Sequence, residues 1–152
     1  PTKIILDCDP GHDDAIALLL AWGNPDIELV GVTTVMGNQT IEKVTRNALS
    51  VARVAGITGV PFARGAHRPL VREVEVADSI HGESGLDGPV LPEPVIELDP
   101  RHAVDFIIDT VMAAEPGEIV RGRVRDPVVE EGVRDEQHAA LRGRGTASTI
   151  VR

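Results

Sequence analysis

With a single cysteine in 152 residues, the chain cannot close an internal disulfide. That absence points to a reducing, cytoplasmic compartment. Basic residues are also in short supply. Fifteen Lys and Arg stand against 24 Asp and Glu, for a formal charge of −9. Such a surface has no excess with which to neutralise phosphates, so nucleic acid is not an expected partner. The longest unbroken apolar run, Ala15–Trp22, falls far short of the roughly 20 residues that span a bilayer, and no membrane association is expected. The first residues, Pro1 to Asp7, lack the basic-then-apolar layout of a signal peptide and read directly as a strand. What remains is ordinary: 42% hydrophobic and 26% charged residues suit a globular chain of one domain's size.

The charge is unevenly distributed. Residues 1–118 carry 8 Lys and Arg against 19 Asp and Glu, a balance of −11. Residues 119–152 carry 7 Arg, no Lys and 5 acidic residues, a balance of +2. The composition therefore breaks near residue 119.

Along the chain, Lys3 to Asp7 is a short aliphatic run ending at a carboxylate, and Pro10-Gly11 punctuates a turn. A helix runs through Ala15–Ala21; it is apolar nearly all round and expected to be buried, with Asp13 or its neighbour as cap. Ile27–Thr34 reads as a second strand, apolar enough for a parallel strand covered on both faces. Ile41, Val44, Ala48, Val51, Ala52 and Ala55 recur at helical spacing. Val60–Ala63 is a weaker third strand. Strand, helix, strand, helix, strand at this spacing predicts an α/β fold with a mostly parallel sheet and flanking helices. A long irregular segment follows over about 65–100, of the kind that often serves as a binding loop or lid. A further amphipathic helix spans His102–Ala114.

Asp7, Asp9, Asp13 and Asp14 are the densest chemistry in the sequence. In an open parallel sheet, ligands bind beyond the carboxyl ends of the strands, where these four would lie. So many like charges repel, and burial makes that worse. A hard divalent cation relieves both problems, and oxygen-only ligands favour Ca²⁺ or Mg²⁺ over zinc. The plain alternative, that Asp13 and Asp14 only favour the helix dipole, leaves Asp7 and Asp9 unexplained. An EF-hand is excluded, because the sixth position of that loop should be glycine and is His12. Asp7-Cys8-Asp9 also satisfies the Asp-x-Asp opening of haloacid-dehalogenase-type phosphatases, although Gly11 departs from their next position. Cys8 reads as a small buried residue rather than a nucleophile, and His12 as facing its own helix rather than a metal.

The stretch Ile4–Ala21, with its Asp-x-Asp-Pro-Gly-x-Asp-Asp-Ala signature, resembles the opening of the inosine-uridine-preferring nucleoside hydrolase family. The resemblance continues through Gly31–Thr40, Thr45–Asn47, Gly59–Pro61, Gly65, Pro69-Leu70, His81–Gly85 and Arg101–Ala103. It covers roughly residues 1–119. It implies Ca²⁺-assisted hydrolysis of the N-glycosidic bond of a ribonucleoside such as inosine or uridine. On the matching positions, Asp9 and Asp14 would be Ca²⁺ ligands, Asp9 also the general base, and Asp7 a supporting carboxylate near the metal. Asp13 and Asn38 would hold ribose hydroxyls. His81 is either a substrate or lid contact or an exposed loop histidine. Homo-oligomers are common in that family.

The resemblance ends where the family would continue into a Thr-Gly loop that gives a backbone oxygen to Ca²⁺. This chain instead runs from Val120 into an Arg-rich segment, and the family domain is about twice as long. We therefore divide it into residues 1–119, the N-terminal part of a nucleoside hydrolase domain, and a divergent tail over 120–152. The tail reads as the truncated or frame-shifted end of a longer gene, against the alternative of an authentic divergent end. Three functional readings stay open: a nucleoside hydrolase, a non-catalytic metal- or ribose-binding remnant, and a Mg²⁺-dependent phosphatase with Asp7 as nucleophile.

Overall fold

The computed structural model describes residues 1–71 and 73–122. Elements follow in the order β1 (Thr2–Cys8), α1 (His12–Gly23), β2 (Ile27–Thr34), α2 (Ile41–Ala55), β3 (Phe62–Arg64), α3 (Asp78–His81), α4 (Ala103–Met112) and β4 (Ile119–Gly122). The strands form one parallel sheet in the order β3-β2-β1-β4. Successive strands β1, β2 and β3 step in one direction, and β4 then returns to the far side of β1. The order thus reverses at β1, which makes the β1–β4 junction the switch point where open α/β sheets form a crevice.

Alternating side chains along the strands feed two cores, as a period of two requires. Leu6, Val32 and Phe62 pack with Leu18 and Ala21 of α1 and with Ala48, Leu49 and Ala52 of α2. Ile5 and Ala63, on the opposite face, pack with Ala103, Phe106 and Ile107 of α4. Between Ile4 and Ile5 the pairing with β2 slips by one residue, from Leu29 to Gly31. The Phe106 ring lies directly over Gly31: a Cβ there would stand 2.5 Å from its Cε1 and Cζ. Gly31→Ala is accordingly expected to cost about 1–3 kcal/mol through overpacking. Gly23→Ala, with open space around the added methyl, should leave the urea midpoint nearly unchanged, and comparing the two midpoints checks the account.

β2 and α2 occupy the ranges their patterns predict, whereas α1 departs from expectation twice. It starts at His12 with Gly11 as N-cap in an extended conformation and no side-chain cap, so Asp13 and Asp14 lie within the first turn instead of capping it. Nor is it buried all round. Leu18 and Ala21 face the core, but Ile16 is 56% and Leu20 66% exposed, and Leu19 and Trp22 are exposed as well. The reason is geometric: a helix laid on a sheet covers one side of itself, whatever its composition. The long segment after β3 also contains a short helix, α3, not anticipated from its sequence. Val120, Arg121 and Gly122 lie in β4, so the sheet runs a little past the composition break. The rest of the divergent tail, residues 123–152, lies outside the described residues. Among the described residues, no helix is long and apolar enough to cross a membrane.

Candidate active site

β1 carries Asp7 and Cys8 to its C-terminal end, and Pro10-Gly11 turns the chain into α1. That turn is short enough for the Asp9 backbone N–H to donate to Asp14 Oδ2 at 2.7 Å. Asn38, in the loop after β2, closes the other side. Its backbone N–H donates to Asp9 Oδ2 and its side-chain Nδ2 to the Asp9 carbonyl, both at 2.8 Å. Gly37 makes this approach possible, because a Cβ there would collide with the Asp9 carboxylate. Asp9, Asp14 and Asn38 are thus joined directly.

Asp7 sits one step deeper. Its side chain is fully buried, with Oδ1 accepting from Thr33 Oγ1 at 2.8 Å. Its Oδ2 lies 3.7 Å from Nη1 of Arg121 on β4. Buried with no hydrogen-bond partner are Asp7 Oδ2, Asp13 Oδ1, Asp14 Oδ1 and Asn38 Oδ1. Buried acceptors without donors are costly, and four of them among these residues mark a place built to receive something with positive charge or hydroxyl protons. The same crowding perturbs titration. Burial, and then the neighbouring Asp9 charge, raise the Asp14 carboxyl to about 8. Cys8 is buried between these carboxylates, with Sγ 3.5 Å from the Thr33 carbonyl. Burial pushes its thiol well up, the opposite of what a nucleophile requires.

His81, at the end of α3, is buried rather than exposed. Its ring lies over Gly11, where a Cβ would come within 2.7 Å of it. It stacks on His12 with centroids 5.5 Å apart, and their Nδ1 atoms are 3.2 Å apart. His12 also reaches the Asp87 carbonyl through Nε2 at 3.1 Å. His12 therefore faces the His81 loop rather than its own helix. Two further residues with no role assigned from the sequence hold that loop. Asn47 of α2 donates to the carbonyls of Pro10 and Ser84, and Gln39 donates to that of Gly82. Asn47 had a legible signal, being an amide on the apolar stripe between Val44 and Ala48. Gln39 had none.

All six singled-out residues therefore lie at or beside the C-terminal end of β1. Among the described residues, no three His, Cys, Asp or Glu side chains are already gathered into a metal cage. The donors nevertheless suit a hard cation in kind, since Asp14 and Asp7 present orphaned carboxylate oxygens and Ca²⁺ takes oxygen ligands. Six to eight ligands make its shell, so these side chains would supply part of it. Asp7 is fully buried between Thr33 and Arg121, a placement that suits a supporting carboxylate better than the nucleophile of a phosphatase.

Comparison with known proteins identifies the family. A family described as inosine-uridine preferring nucleoside hydrolase matches residues 4–121. An inosine-uridine preferring nucleoside hydrolase of Crithidia fasciculata is 62% identical over 117 residues, covering 76% of this chain and 37% of that protein. A pyrimidine-specific ribonucleoside hydrolase of Photobacterium profundum is 53% identical over 118 residues, covering 77% and 38%. Among solved structures, a purine-preferring ribonucleoside hydrolase from Gardnerella vaginalis superposes with a TM-score of 0.79 at 31% identity, covering 93% of this chain and 43% of that one. The chain spans somewhat over a third of the length of these curated relatives.

Proposed function

The chain belongs to the inosine-uridine preferring nucleoside hydrolase family, and from that premise we propose that its carboxylate site serves Ca²⁺-assisted hydrolysis of a ribonucleoside to ribose and a free base. The observation that carries this reading is the Asp9–Asp14–Asn38 junction with its orphaned oxygens at the switch point of the sheet. Asp9 and Asp14, supported by Asp7, would hold the ion. When bound, Ca²⁺ supplies Lewis-acid positioning and acidification of the attacking water.

The remaining work falls to the chain's own side chains. Asp9 is the general base, its carboxylate held in place by the Asn38 N–H while its remaining acceptor capacity takes a proton from water. Asp13 Oδ1 and Asn38 Oδ1, buried and without donors, are acceptors for two ribose hydroxyls and would fix the sugar for attack. Cleavage passes through a ribosyl cation-like transition state, which the surrounding carboxylates stabilise electrostatically. His81, held over the Pro10-Gly11 turn by His12, borders the same space as a substrate contact.

A second reading is a metal- or ribose-binding remnant without turnover, because these side chains would supply only part of the six to eight ligands that Ca²⁺ takes. Reducing-sugar release from inosine and uridine, with Ca²⁺ and with chelator, separates the two. The expected result is chelator-sensitive ribose release. Ca²⁺ binding without ribose would favour the remnant.

A further inference from the structure

Arg121 lies opposite Ile5 in the β1–β4 register, and its guanidinium forms an ion pair with Asp7 Oδ2. Its side chain is only 18% exposed and that of Asp7 fully buried, so solvent screens the pair weakly. At 3.7 Å the contact is an ion pair without a hydrogen bond. The arginine therefore compensates charge without satisfying the oxygen. It does so at Asp7, the supporting carboxylate of a site proposed to hold a dication.

We propose that Arg121 is a resident counter-ion of the carboxylate site and sets its divalent-cation affinity low. The inference rests on the Ca²⁺ reading above. Guanidinium and Ca²⁺ compensate the same negative charge and repel each other across the site. Arginine stays protonated at any working pH, so the guanidinium cannot yield by losing its charge. In the metal-free chain it relieves the burial cost of Asp7; in the loaded chain it opposes the ion. Like charges held close together at a partly buried site interact strongly enough to shift affinity by about tenfold or more.

The test is calorimetric titration of CaCl₂ into the full chain and into Arg121→Leu, Arg121→Gln and Arg121→Lys, with thermal unfolding of each with and without Ca²⁺. Removal of the charge in the Leu and Gln variants should tighten Ca²⁺ binding about tenfold or more and enlarge the Ca²⁺-induced rise in Tm. The Lys variant should keep the parent affinity. A merely structural arginine would give the reverse, weaker binding in the Leu and Gln variants. The Gln variant carries the test if Leu fails to fold. Equal affinity in all four proteins would overturn the proposal and leave the Ca²⁺ reading standing. No heat in any of them, with no Ca²⁺ effect on Tm, would overturn the Ca²⁺ reading and this proposal with it.

Discussion

Asp9→Asn is expected to lower kcat/KM for ribose release from inosine by about a thousandfold, within the roughly 10²–10⁴ range that positioned acid–base groups contribute. The substitution keeps the shape of the side chain. Its amide oxygen can still accept the Asn38 N–H, and the backbone bond from Asp9 to Asp14 does not involve the Asp9 side chain. What disappears is a basic oxygen and one negative charge, which is also one of the two carboxylates proposed to hold Ca²⁺. The fold should therefore persist while turnover collapses, and metal-free stability near neutral pH should rise because the Asp9 charge no longer opposes ionisation of Asp14. Steady-state assays on protein of verified fold make the measurement, and a loss of less than about tenfold would remove Asp9 from the role of base.

The second large effect concerns stability. In metal-free solution the chain is expected to lose stability as pH rises from about 4 to about 8. Asp14 holds its proton more tightly when folded, at about 8, than at the ordinary carboxyl value of 3.8. Protonation therefore favours the folded state. The contribution is whole below about 4 and is lost as pH climbs through the folded value. Each tenfold difference in proton affinity between the folded and unfolded chain is worth about 1.4 kcal/mol, so the loss amounts to several kcal/mol. Asp14→Asn, which cannot ionise, should flatten this dependence and be more stable than the parent at pH 8 without metal. Saturating Ca²⁺ should also flatten it by favouring the ionised carboxylate. Urea midpoints at pH 5 and pH 8, with Ca²⁺ and with chelator, decide the matter. Identical metal-free midpoints at the two pH values would show that Asp14 is not held protonated.

Local pattern carried much of the fold into the sequence. Ile27–Thr34 is apolar enough to need cover on both faces, and the 3.6 period over Ile41–Ala55 leaves little choice of helix. Each signal lies within its own element. The features the sequence did not reveal depend on partners far along the chain. The exposure of Ile16 and Leu20 is set by how much of α1 the sheet covers, which helix composition does not encode. His81 is buried because Asn47, Gln39 and His12 bring a distant loop over Gly11, a closure whose partners lie tens of residues away. That Asp9 and Asp14 lie together was legible from a strand end followed by a tight turn, whereas Asn38 was named through the family resemblance and its place at the next strand end. The opposition of Arg121 and Asp7 was not legible, since it requires the register of β4 on β1.

That register also imposes an order in time. Asp7, Asp9, Asp14 and Asn38 all belong to the first crossover, while Arg121 follows Asn38 by 83 residues. At about 5–20 residues per second, a growing chain completes its carboxylate cluster roughly 4–17 seconds before the arginine is synthesised. During that interval Arg121 cannot offset the charge on Asp7, and ions from the surrounding solution can. A distant, late-formed strand pairing is also slow to establish, so the interval lengthens further. The nascent chain thus meets cations with Asp7 unpaired by Arg121, and the finished sheet with that carboxylate already answered.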